Sequence, residues 1–185
     1  MLFRSWAHIE KNRDAPSASV LSLSDWKDAW SRDEAFPFTP SVAEINGLDA
    51  AIDNYLEEGP ENVWARHSLT ARACRAGVQA MGCELWAADE SIAADTTTAV
   101  RIPDGVADAE LRQAARNRYG VVFSAGRNET AGKLIRIGHM GMVAQPIYAT
   151  VAITALGGAL NHIGHKVDVG AGVEAALGVI EADAR

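Results

Sequence analysis

The chain has 185 residues, 48% of them hydrophobic, and its 17 lysines and arginines stand against 24 acidic residues for a net charge of −7. That is enough apolar material for one sizeable core, or for one domain with an appendage. The scattered basic residues argue against a nucleic-acid-binding face. Cys74 and Cys83 have neither metal-ligand spacing nor the density of a secreted disulfide scaffold, so they read as small buried hydrophobes of a cytoplasmic protein. Residues 1–13 hold no apolar stretch of signal-peptide length. The longest apolar segment, Met142 to Leu160, is interrupted by Gln145, Thr150, Thr154, Gly157 and Gly158. It suits a core helix better than a membrane span, and a soluble protein is expected.

Residues 1–38 show no clear period. They carry Trp6, Trp26 and Trp30 and a serine-rich stretch from Pro16 to Ser24, and read as an irregular tail of something larger. Regular signals begin at Thr39. Pro40 is pre-set for a first helical turn, Ser41 and Glu44 have capping-box spacing, and Val42, Ile45, Leu48, Ile52, Tyr55 and Leu56 follow helical spacing up to Gly59. A second helix is expected from Pro60 to about Met81, stopped by Gly82. Cys83 to Ala87 and Thr97 to Ile102 read as strands. A helix follows from a cap at Asp108 to Tyr119 and is closed by Gly120. Val121 to Ser124 and Lys133 to Gly138 read as two further strands. Helices from about Gln145 to Ile163 and Gly172 to Ala182 complete the pattern, their small residues suited to close packing. This order describes an α+β layer: a small, largely antiparallel sheet covered by helices.

The run Lys133-Leu134-Ile135-Arg136-Ile137-Gly138-His139-Met140-Gly141 puts an arginine inside a short apolar strand. Burying an unpaired guanidinium is costly, so something anionic must meet it there. Its planar fork suits a carboxylate, held through two parallel charge-assisted hydrogen bonds. The residues alone leave two readings open: an anchor for a small carboxylate substrate, or a structural ion pair with an acidic residue of the chain.

Four segments occur here in the order found in class V aminotransferases: FPFTPSVAEINGLDAAIDNYLEEGPENVWARH from Phe36, TTTAVRIPDGV from Thr96, LRQAARNRYGVVFSAGR from Leu111, and KLIRIGHMG from Lys133. The chain resembles that family from Trp6 onward, and most of all its branch that exchanges an amino group between pyridoxamine and pyruvate. The resemblance implies the C-terminal small domain of a fold-type-I pyridoxal-dependent enzyme over 39–185, with residues 1–38 a remnant of the large domain. It also implies a parent about twice this length, a homodimer or homotetramer. In such relatives the arginine matching Arg136 binds the carboxylate of the amino or keto acid. Arg127, where many relatives have a glycine-rich turn, resembles the pyridoxamine branch and would be a second cation near the substrate; a solvated arginine paired with Glu129 is the alternative. Thr39 matches a threonine that reaches the phosphate of pyridoxal 5'-phosphate, or simply caps its helix. Phe36 replaces a tyrosine that serves as a phosphate donor in some relatives, which fits pyridoxal or pyridoxamine as an unphosphorylated substrate. His139 reads as a structural residue of the turn after the strand.

The lysine that forms the imine with pyridoxal in this family has no counterpart here, because Lys11, Lys27, Lys133 and Lys166 all stand in other contexts. Met1 to Ser5 also match the family poorly. The expectation is a C-terminal fragment, inert alone, of a transaminase with no metal. Two rival readings remain: an alanine– or serine–glyoxylate aminotransferase with permanently bound pyridoxal phosphate, and a non-catalytic binding or oligomerisation module.

Overall fold

The computed structural model describes His8, Lys11, Asn12, residues 22–33 and residues 35–183. Trp6, most of the serine-rich stretch and the poorly matching first five residues lie outside them. The chain divides into two compact units, Met1–Asn54 and Tyr55–Arg185.

In the first unit the expectation of an irregular segment up to residue 38 is corrected. Leu23–Asp33 is a helix, α1. Ser22 starts it: its carbonyl accepts from the Asp25 and Trp26 amides at 3.1 and 3.3 Å, and its hydroxyl also faces the Asp25 amide at 3.4 Å. Trp26 and Trp30, one turn apart, meet Phe36 at centroid distances of 6.1 and 5.5 Å, and Trp26 meets Phe38 at 6.2 Å. Leu23, Trp26, Ala29 and Trp30 do stand at helical spacing, so the period is present in the sequence, over only 11 residues. Helix α2, Val42–Glu58, forms where the spacing places it. The Ser41 carbonyl accepts from the Ile45 amide at 3.0 Å, but the side-chain exchange expected between Ser41 and Glu44 is not made. No residue of α2 is buried, so its apolar stripe faces outward among the described residues.

The second unit holds the core. Helix α3, Pro60–Ala80, starts with proline in its first turn and buries Val63, Thr70, Ala71, Ala73, Cys74 and Val78. Helices α5, Pro146–His162, and α6, Val169–Asp183, pack against it. Gly77 makes that approach possible. A Cβ there would lie 2.2 Å from Ile153 Cδ1 and 2.8 Å from the Gly172 carbonyl, closer than any side chain permits. Helix α6 starts three residues earlier than expected because the Asp168 carboxylate accepts from the Ala171 amide at 3.0 Å. Helix α4, Asp108–Tyr119, ends as expected at left-handed Gly120. Asp108 does not cap it; it sits inside the first turn and binds Arg112 through both oxygens, at 2.7 and 3.2 Å.

The sheet comprises β1 (Thr97–Arg101), β2 (Ser124–Ala125) and β3 (Leu134–Gly138), antiparallel in the order β1-β3-β2. The expected strand Cys83–Ala87 is reduced to one bridge, Leu85 to Val100, because the chain leaves the edge of β1 for a turn capped by Asp89. The expected strand Val121–Ser124 is shifted as well. Val122 is 72% exposed, and pairing begins only at Ser124. Thr98, Val100, Ile135 and Ile137 alternate on the face that packs with Leu111, Phe123, Ile153 and Leu156 into the core. A small antiparallel sheet whose buried face packs with helix residues makes this the α+β architecture read from the sequence. Cys74 and Cys83 are buried free thiols, as expected, and burial pushes the Cys74 thiol up to about 11, which leaves it inert.

Candidate substrate site

Strand β3 is the middle strand, and its core-facing residues pin it from below. Arg136 therefore points to the opposite face, paired across the ladders with Ala99 on β1 and Ser124 on β2. Both neighbours are small, which leaves space above the sheet for a long side chain. Arg136 is half-buried, and its Nε donates to the Ala125 carbonyl at 3.2 Å. Among the described residues no carboxylate lies within 4.0 Å of it. The structural ion pair that the sequence left open is thus absent from this part of the molecule. With Nε fixed by a neutral backbone acceptor, the terminal nitrogens of the fork remain to receive an anion.

Arg101 lies on the same face two residues along β1, but it is engaged elsewhere. Its guanidinium stacks over Trp86 at 4.5 Å, and its Nε donates to the Leu85 carbonyl at 3.2 Å. It borders a cleft of about 670 Å³ shared with Lys133, His165, Glu84 and Asp104, whose lining does not include Arg136.

Arg127 stands in the turn that joins β2 to β3, and its side chain is exposed. It makes no ion pair with Glu129. Ala125, whose carbonyl holds Arg136, lies two residues before it, so one short hairpin carries both predicted cations. Thr39 lies in the first unit, just ahead of α2. It is exposed, and its hydroxyl makes no hydrogen bond among the described residues, so it does not cap the helix.

His139 is 3% exposed. Its Nδ1 faces the Asp95 carbonyl at 3.0 Å and its Nε2 the Thr98 hydroxyl at 2.9 Å. A carbonyl can only accept, so Nδ1 carries the proton and Nε2 accepts from Thr98. Burial pushes its pKa below the ordinary 6.5, against the upward pull of the Asp95 carbonyl. A neutral ring with both nitrogens bonded has a structural role.

Three residues around this face escaped the sequence reading. Arg75 is 5% exposed and holds Glu90 at 2.9 Å and Asp95 at 3.7 Å, clamping the segment beneath His139. Arg66 binds Glu58 and donates to the carbonyls of Gly141 and Ala144 at 2.7 and 3.1 Å. His67 Nε2 accepts from the Gly141 amide at 3.2 Å. Arg66 and His67 therefore anchor the turn that follows β3. Their partners are backbone groups some 75 residues away, which leave no trace in local sequence.

These residues do not by themselves assemble a site for pyridoxal phosphate. Lys11, Lys133 and Lys166 are exposed and Lys27 is only partly covered, so no described lysine offers a sheltered amine beside Arg136. The one hydroxyl assigned to a phosphate, that of Thr39, lies in the other unit. What the Arg136 fork offers chemically is two terminal nitrogens able to donate to an anion.

No protein-family model matches the chain. It is 68% identical over 181 residues to the pyridoxamine–pyruvate transaminase of Mesorhizobium japonicum, covering 98% of this chain and 46% of that protein. The crystal structure of pyridoxamine–pyruvate aminotransferase from Mesorhizobium loti superimposes with a TM-score of 0.90 at 68% identity, over 97% of this chain and 46% of that one. Ureidoglycine–glyoxylate aminotransferase from Bacillus subtilis superimposes with a TM-score of 0.80 at 27% identity, again over 96% and 46%. The chain thus spans about half the length of the relatives it matches. It belongs to the class V aminotransferase family as a partial-length homologue of pyridoxamine–pyruvate transaminase.

Proposed function

We propose that this chain forms the carboxylate-recognition half of a transaminase that exchanges an amino group between pyridoxamine and pyruvate, giving pyridoxal and L-alanine. The observation that carries this reading is the half-buried Arg136 fork, steadied by Ala125 and left without a carboxylate among the described residues. Arg136 clamps the carboxylate of pyruvate or alanine, and Arg127 adds a second positive charge from the hairpin turn. Two cations near a one-carboxylate substrate favour its anionic form and fix its orientation. The B6 vitamer supplies the amino-group carrier when bound, and the lysine of the reaction belongs to polypeptide outside this sequence. Residues 39–185 act in this scheme as the small domain with its connecting helix, and Thr39 is the hydroxyl that would meet a phosphate where the vitamer carries one. The full protein is a homo-oligomer, and the 185-residue chain alone does not turn over.

The test is Arg136→Ala in the full-length protein that carries this chain. Loss of a charged hydrogen-bond partner should lower kcat/KM for pyruvate by about 2–4 kcal/mol. An effect below about threefold rejects the assignment. Turnover of pyridoxamine and pyruvate by the isolated 185-residue chain would reject the division of labour.

A further inference from the structure

The hydrogen bonds of the turn from Gly126 to Ala131 centre on Thr130. The Thr130 hydroxyl accepts from the Arg127 amide at 2.9 Å and donates to the Arg127 carbonyl at 2.8 Å. That same carbonyl also accepts from the Thr130 amide at 3.0 Å. Both polar groups of the Arg127 backbone are therefore committed to one residue, which fixes the direction in which the Arg127 side chain leaves the turn. Asn128, between them, has φ of 49°, a left-handed conformation uncommon outside glycine. Gly126 lies so close to Thr130 that a Cβ there would stand 2.0 Å from the Thr130 carbonyl oxygen. Its amide donates to Leu134 at 3.0 Å, closing the hairpin just beyond the Ala125 carbonyl that steadies Arg136.

We propose that Thr130 is a positioning residue of the carboxylate site: through its hydroxyl it sets the place of Arg127 relative to Arg136, and so the fit of a small keto acid between the two cations. This rests on the carboxylate-binding reading of Arg136 and Arg127. The turn carries a strained asparagine and a glycine with no room for a side chain, and the hydroxyl is the one side-chain group tying the two ends of the Arg127 residue together. Removing it releases the Arg127 amide and leaves its carbonyl held only by the Thr130 amide, without altering charge.

The experiment uses the full-length protein carrying this chain, with pyruvate as the varied substrate. Thr130→Val and Thr130→Ala should each raise KM for pyruvate about fivefold or more while kcat stays within about twofold, and Thr130→Ser should restore KM. In an Arg127→Ala background, Thr130→Val should add no further rise in KM, because the hydroxyl acts through Arg127. An unchanged KM in both truncations, with Arg136→Ala still raising it, overturns the role of Thr130 and leaves the carboxylate reading standing. An Arg136→Ala protein with unchanged KM instead overturns that reading. Full additivity of Thr130→Val and Arg127→Ala would show that the hydroxyl serves the fold generally, and would also overturn the proposal.

Discussion

Arg75 and Arg136 are both drawn in from solvent, yet their surroundings differ in kind. Arg75, on α3, is 5% exposed and meets two carboxylates, those of Glu90 and Asp95, as well as the Ala94 carbonyl. Arg136, on β3, meets one neutral carbonyl and no carboxylate among the described residues. The first has its electrostatic needs met inside the fold and holds a loop in place. The second is steadied but not neutralised, and a half-buried cation in that state gains from an anionic ligand. Position inside an apolar element does not distinguish an ion-paired arginine from an unpaired one; the partners do.

The largest effect that tests this contrast is on catalysis. Arg136→Ala should cost about 2–4 kcal/mol in kcat/KM for pyruvate, with a change in stability of about 1 kcal/mol or less, since a single neutral hydrogen bond is lost. Arg75→Ala should do the reverse. Its melting transition should report a loss of about 1–3 kcal/mol while KM for the keto acid stays put. Its acidic partners are well exposed, which keeps the cost below that of orphaning a buried charge. If Arg75→Ala changes KM as much as Arg136→Ala does, the contrast is broken.

A finer test keeps the charge and changes the shape. Arg136→Lys retains a cation but loses the bidentate fork, so binding of the carboxylate should weaken about tenfold, less than for alanine. Equal activity of lysine and arginine would mean that a point charge suffices there.

The smallest effect concerns the Arg75 side. His139 sits over Asp95 with its pKa held below 6.5 in the folded protein, chiefly by burial. The unfolded chain therefore takes up the proton first as pH falls, and the stability that the neutral ring contributes above about 6.5 is lost on acidification below it. Melting temperatures measured across pH 5 to about 7.5 should fall toward the acid end, and His139→Gln should flatten that slope. An unaltered slope would show that His139 is not the responsible group.

The sequence made β3 and the long helices legible because their periods are strong and their ends are marked by Pro40, Gly59, Pro60, Gly82 and Gly120. It also carries α1, in Leu23, Trp26, Ala29 and Trp30 at helical spacing, but that signal spans only 11 residues and is easily passed over; and it overstated Cys83–Ala87, which looks apolar but pairs through Leu85 alone. Arg136 stood out as a lone charge in a greasy strand. The absence of a carboxylate partner depends on which distant residues the fold brings near, and local spacing does not show that. The role of Arg66 was hidden for the same reason, since its partners are backbone carbonyls some 75 residues away, whereas Thr130 bonds a residue only three positions earlier, within a single local turn.

The most direct measurement is the affinity of the full-length protein for oxamate, a carboxylate shaped like pyruvate but lacking the reactive ketone, by calorimetric titration of the native protein, Arg136→Ala and Arg75→Ala. A loss of about tenfold or more in Arg136→Ala, with Arg75→Ala binding like the native protein, is the predicted result. Equal affinity in the native and Arg136→Ala proteins would contradict the account.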